Sequence, residues 1–203
     1  RSGVALTPAT LKAADAVLLG EQHNRFDHHR WQLATLAHLR AHEPDMAIAL
    51  EMLPRAAQPA LDDWIAGELD EAAFLEASGW YEHWGFDWDL YSPIFHFARM
   101  HNIPVLAANL ERSLVARIGK VGWDEVAQDE RYGVGPAAAP ATGYRERLAA
   151  AHGRHAKRGM ERSQEAFIRS QVARDRAMAE GVADALEDHQ LVVLLTGRGH
   201  VMN

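Results

Sequence analysis

Four short apolar runs punctuate the chain: Ala16–Leu19, Met46–Leu50, Pro104–Ala108 and Leu191–Leu195. Each is too short for a stable helix and most are rich in Val, Ile and Leu, which predicts buried strands. Between them the apolar spacing shifts to the helical period. Trp31, Leu33, Leu36 and Leu39 follow Asp27, a residue type that caps helix starts, and the pattern stops before Pro44. Ser92-Pro93 reads as a cap followed by proline at the first helical position, ahead of Ile94, Phe95, Phe97 and Ala98. A long pattern from about Met160 to Glu187 carries Phe167, Ile168, Val172, Met178, Val182 and Leu186. Strands alternating with helices predict an α/β fold, a parallel sheet flanked by helices.

Two stretches exceed a minimal α/β unit. Residues 56–91 hold short helices and the aromatic run GWYEHWGFDWDLY, and residues 111–159 hold short helices around the linker-like GVGPAAAPATG at 133–143. Both read as helical insertions, forming a smaller helical subdomain on a single α/β domain over residues 1–203.

Composition narrows the function classes. A chain of 203 residues, 48% apolar and 24% charged, fits one good globular core. Its formal net charge of −7 argues against general nucleic-acid binding and electrostatic attachment to anionic lipid, both of which need a basic face. Cysteine is absent, which excludes disulfides, Fe–S clusters, thiolate zinc sites and c-type haem attachment. No run approaches the roughly 18 apolar residues of a membrane span. The opening RSGVALTP carries no signal region, and the close, TGRGHVMN, follows a strand-like run and a glycine turn where an α/β chain is expected to continue.

Ligands of open parallel sheets bind at the carboxyl ends of the strands. There the chain places Glu21 and His23, then Glu51, then Asn109, then His200. Two imidazoles and two carboxylates on one sheet edge suit either of two chemistries. His23, His200 and Glu51 would make a two-histidine, one-carboxylate set for a divalent metal such as zinc, with the remaining carboxylate as general base. Without metal, the Glu–His pairs of Glu21, His23, Glu51 and His200 suit acid–base hydrolysis near neutral pH. The bland alternative is that they only hydrogen-bond the loops, and no segment has the His-Glu-x-x-His zinc spacing. His28 and His29 fall in a first helical turn and read as surface or capping residues.

Five blocks, GEQHNRFDHHRWQ, ALEMLPRAAQPALDDW, YSPIFHFARMHNIPVLAANL, SQVARDRAMAEGV and VVLLTGRGHV, together resemble the ChaN-like haem-binding lipoprotein family, in the family's order. The resemblance implies a parallel-sheet domain with a smaller helical domain, haem held by tyrosine and histidine, and a haem-mediated homodimer. It also implies a role in bacterial haem and iron acquisition, in the periplasm or at the outer membrane. The membrane contact would be a lipid anchor outside this chain. The Gly-Glu-x-His and Gly-x-x-His signatures are similar to those of the erythromycin esterase, TraB and Tiki proteins, some of them hydrolases. The first reading is therefore a haem-binding protein rather than an enzyme, with the strand-end hydrolase as its alternative.

The haem site itself is read from chemistry. Ferric iron favours an anionic oxygen ligand, and the segment at 142–164 supplies Tyr144 with His152 and His155 close by. Arg154 and Arg158, with Arg145, Arg147, Lys157 and Arg162, form a basic patch suited to propionates. The expected iron ligand is Tyr144 or His155. A rival slot is the aromatic run, where His83 could ligate, although such clusters are usually packed cores. Met178 lies on an apolar stripe and reads as core.

Overall fold

The computed structural model describes residues 14–156 and 163–201. Its centre is a four-stranded sheet of β1 (Ala16–Glu21), β2 (Met46–Pro54), β3 (Val105–Asn109) and β4 (Leu191–Gly197). The spatial order is β1-β4-β2-β3 and every pairing is parallel. The four apolar runs all become strands, and each extends past the C-terminal end of its apolar stretch. Glu21, Glu51, Asn109, Thr196 and Gly197 therefore lie within strands rather than after them. Pro104, lacking an N–H, stays outside β3 and instead offers its carbonyl to the Ile48 amide at 2.9 Å.

Side chains alternate across the sheet with the period of a strand. On one face Leu19, Ile48, Leu50, Val193 and Leu195 meet α1 (Phe26–His42), α2 (Gln58–Ala66) and α5 (Ser92–Met100). On the other, Ala49, Ala108, Val192 and Leu194 pack against Met178 and Ala185 of α8 (Gln164–Ala185). The chain between α2 and α5 forms α3 (Glu71–Ala77), α4 (Trp80–His83) and a 3₁₀ turn at Trp88–Leu90. Between β3 and α8 come α6 (Arg112–Val121) and α7 (Thr142–Ala156). Both lie against α8: Leu114, Val115 and Ile118 meet Ala173 and Ala177, and Leu148 meets Phe167 and Ile168. The short α9 (Arg198–Val201) follows β4 directly.

Two helix starts differ from the expected ones. Helix α1 is capped by Arg25 with no side-chain bond, and Asp27 sits in the first turn, where it accepts two 2.9 Å hydrogen bonds from the Arg25 guanidinium. Charge pairing and the helix dipole both suit that position, so the acid serves the helix without capping it. At α5 the cap is Tyr91, and Ser92 and Pro93 lie inside the first turn. Helix α8 does begin as a capped helix, with Ser163 Oγ accepting from the Ala166 amide at 3.2 Å.

The aromatic run is core rather than a slot. Trp80 and Trp88 stack edge-on at 5.0 Å, and Trp88 meets Phe95 at 4.8 Å. Trp64 and Trp80 donate their indole N–H groups to the Phe95 and Phe86 carbonyls. Rings at these spacings face one another and leave no gap for a macrocycle between them. Met178 is buried, as its place on the stripe implies.

Candidate functional site

The C-terminal ends of β1, β2 and β4 bring four sequence-predicted residues together. The Glu21 carboxylate is buried, and its Oε1 lies 2.6 Å from His23 Nδ1. Tyr91, entering from the aromatic segment, donates its hydroxyl to Glu21 Oε1 at 3.2 Å and to the His23 carbonyl at 3.3 Å. Burial, then the Glu21 charge, pushes the Tyr91 hydroxyl far above the usual phenol range, so it stays a donor. His23 is about a third exposed, its ring edge-on to Trp84 at 4.6 Å and tilted against Phe86 at 5.0 Å.

Glu51 owes its position to an irregularity in β2. Register with β3 shifts between Leu50 and Pro54, which frees Glu51 from the ladder. Its carbonyl is taken by Asn109 Nδ2 at 2.8 Å instead. Its Oε2 accepts from Thr196 Oγ1 at 2.7 Å and from the Gly197 amide at 2.6 Å, and its Oε1 faces His200 Nε2 at 3.3 Å. Gly197 is where the two acid–histidine pairs approach: a Cβ there would lie 2.7 Å from His23 Cε1 and 3.4 Å from Glu51 Oε2.

His200 continues the cluster outward. Its Nδ1 lies 2.5 Å from Asp175 Oδ1 of α8, and Asp175 Oδ2 accepts from the Tyr144 hydroxyl of α7, also at 2.5 Å. With a carboxylate at each nitrogen, the imidazole carries both protons. Burial opposes that charge, but the hydrogen bonds and charges of Asp175 and Glu51 outweigh it and hold the His200 pKa up at about 10. Glu51 responds in the opposite sense. Burial would raise its pKa, but His200, Thr196 and the Gly197 amide together bring it down to about 2. Tyr144 is pushed up by burial and then by its bond to Asp175.

Other predicted residues fall elsewhere. Asn109 locks the turn after β3, its Oδ1 accepting from the Leu110 amide, and does not join the acid–histidine pairs. His28 accepts from the Gln22 amide at 2.9 Å, a loop-fixing role. His29 departs from its surface reading: it is buried, with Nε2 3.1 Å from the His23 carbonyl and 4.0 Å from Glu21 Oε2. His152 lies against Phe167 at 5.6 Å, while Tyr144 reaches Asp175. Eight residues of helix rise about 12 Å, so Tyr144 and His152 do not converge on one point. Arg147 lies over the Tyr144 ring at 5.3 Å, and Arg145 pairs with Glu165. The side chains of Arg154 and His155, and all of Arg158, lie outside the described residues.

Among the described residues no group of three or more His, Asp or Glu side chains is arranged to hold a metal ion. His23, Glu51 and His200, the divalent alternative, are not arranged as such a group. His200 spends both nitrogens on carboxylates, and each Glu51 oxygen already has a partner.

Sequence reasoning did not assign Asp175, Tyr91 or His29 to the site. Asp175 carried a signal, since it lies three residues before Met178 and so shares the sheet-facing side of its helix. A charge on a buried stripe needs a partner.

A family model described as "Haem-binding uptake, Tiki superfamily, ChaN" matches residues 8–203. Among solved structures, the chain is similar to ChaN of Campylobacter jejuni, described by its cofacial haem binding. The TM-score is 0.71 at 22% identity, over 94% of this chain and 72% of that one. It is also similar in fold to RRSP, a MARTX toxin effector domain from Vibrio vulnificus CMCP6. There the TM-score is 0.54 at 17% identity, over 96% of this chain and 30% of that one. No curated protein matches the chain.

Proposed function

Because the chain belongs to the ChaN family of haem-binding uptake proteins in the Tiki superfamily, we propose that it binds ferric haem through Tyr144. The observation that carries the choice of residue is the contrast among the four tyrosines. Tyr91 is fully buried in the core, and Tyr81 and Tyr132 are exposed on the surface. Tyr144 alone is half-buried and directed, its hydroxyl held by a carboxylate and its ring beneath Arg147.

The donor set suits the ligand. A phenolate is a hard anionic oxygen, and haem bound through it would be held in the ferric state. Asp175 Oδ2 already accepts the phenol O–H and is the nearest acceptor for its proton. Arg147 supplies positive charge beside the ring, where propionate carboxylates or a developing phenolate both gain from it. The same reading assigns the protein to bacterial iron acquisition as a lipid-anchored periplasmic or outer-membrane component, with haem bridging two copies.

Titrating the purified protein with ferric haem tests this reading. We expect saturable binding with a tyrosinate charge-transfer band that Tyr144→Phe removes; an unchanged spectrum in Tyr144→Phe would refute the assignment.

A second reading, hydrolysis by the strand-end pairs, draws on the Glu21–His23 geometry. A partly exposed imidazole oriented by a buried carboxylate is the arrangement of a general base. It predicts ester or amide hydrolysis lost in both Glu21→Gln and His23→Ala. Hydrolysis that survives both changes would eliminate it.

A further inference from the structure

We infer that Asp175 and His200 are positioning residues for Tyr144, fixing its hydroxyl at the C-terminal edge of the sheet through a hydrogen-bonded chain that ends on Glu51. The inference rests on Tyr144 being the iron ligand, and adds that the residues read as a separate strand-end site support that ligand.

Helix α7 packs on α8 with Tyr144 and Leu148 against Phe167 and Ile168, beside the Arg145–Glu165 ion pair. A phenylalanine at 144 would serve that packing as well as a tyrosine does. What the hydroxyl adds is a direction. Its acceptor, Asp175 Oδ2, lies on a neighbouring helix, and an isolated aspartate there would be free to change rotamer. Asp175 is not isolated, because its Oδ1 bonds His200 Nδ1. His200 in turn faces Glu51 Oε1 through its other nitrogen. Glu51 is pinned by Thr196 Oγ1 and the Gly197 backbone amide, a donor that cannot move without β4.

The chain therefore runs Tyr144, Asp175, His200, Glu51 and then strand backbone. Five elements contribute to it: α7, α8, α9, β2 and β4. Each polar group restricts the next, and the restriction arrives at the one member whose oxygen would meet iron. Networks of this kind hold a ligand near its productive geometry before binding, which lowers the ordering cost. Outer partners of this sort alter metal affinity by roughly 10–100-fold when removed.

The test compares wild type with Asp175→Ala, Asp175→Asn, His200→Gln, Tyr144→Phe and a surface control, His96→Gln. His96, on α5, pairs with Glu71 and stacks against Trp64. In the apoprotein, the ¹³Cζ resonance of Tyr144 reports its hydrogen bond directly. It should move in Asp175→Ala and His200→Gln and stay in place in His96→Gln. With ferric haem, those two variants should bind about tenfold more weakly. Their tyrosinate band and ferric/ferrous midpoint potential should also shift, readouts that a loss of stability alone would not move. Asp175→Asn keeps an acceptor oxygen and should recover most of the affinity; it carries the test together with His200→Gln should Asp175→Ala not fold. Wild-type resonance, affinity, band and potential in Asp175→Ala and His200→Gln, with the band still lost in Tyr144→Phe, would overturn the positioning role alone. A band that persists in Tyr144→Phe would overturn the ligand and the positioning role together.

Discussion

His200 is the residue on which both ends of the cluster depend, and its protonation ties stability to pH. Folding raises its pKa from 6.5 to about 10. The stabilisation from its charge is thus complete below 6.5 and is lost as pH rises through about 10. Glu51 falls from 4.5 to about 2, so its contribution is complete above 4.5 and is lost as pH falls through about 2. Melting temperatures should therefore decline on the alkaline side in wild type, and His200→Gln should flatten that limb; an unaltered limb would show that other groups cause it. Gly197 makes a second prediction at this scale. A methyl group there would press on His23 and Glu51 together. Gly197→Ala should cost about 1–3 kcal/mol by overpacking, read by chemical denaturation. Both histidines and both glutamates were visible as polar residues at strand ends. Their pairing, Glu21 with His23 and Glu51 with His200, was not, because adjacent strand ends offer every combination.

At the scale of elements, the strands were the most legible part. A strand covered on both faces has no polar alternation, so Met46–Leu50 and Leu191–Leu195 stand out as continuous apolar runs. The edges needed the structure. On the outer side of β3, the Gln58 side chain donates to the Val105 carbonyl at 2.9 Å and accepts from the Ala107 amide at 2.8 Å. It stands where another strand would, and such cover protects an edge from further pairing. Gln58→Ala should cost about 1–2 kcal/mol in denaturation and speed hydrogen exchange at Ala107; unchanged exchange would mean the edge has other protection. The contact of α6 with α8 depends similarly on one glycine. A Cβ at Gly119 would collide with Ser170 Oγ and lie 2.7 Å from the Ala166 carbonyl. Gly119→Ala gains helix propensity of about 1 kcal/mol, yet should still destabilise, since a backbone carbonyl cannot yield as a side chain can. A net gain in the melting temperature would show that the two helices can separate at little cost.

For the whole molecule, the acidic balance and missing cysteines narrowed the classes of function without selecting one. Family membership rests on a match over residues 8–203, and the sheet brings the C-terminal ends of β1, β2 and β4 to a common edge. The proposed haem-bridged pair makes a further prediction. Sedimentation velocity should show a monomer without haem and a dimer with equimolar ferric haem, and Tyr144→Phe should stay monomeric in both. A dimer that forms equally without haem would assign the association to a protein surface instead.

The sequence alone determined the α/β class, the four strands, the long helix α8 and the group of acids and histidines at the strand ends. Those features follow from local rules: continuous burial selects strands, helical spacing selects helices, and polar residues gather where a parallel strand meets its loop. Only the tertiary structure decided which of those groups touch. Tyr91 reaches Glu21 across 70 positions, Tyr144 reaches Asp175 across 31, and Thr196 reaches Glu51 across 145. Hydrogen bonds between such distant residues have no period along the chain. They arise from how the strands pair, how Tyr91 and helix α8 lie against the sheet and how α7 lies on α8, and that packing joins Tyr144 to the strand-end cluster.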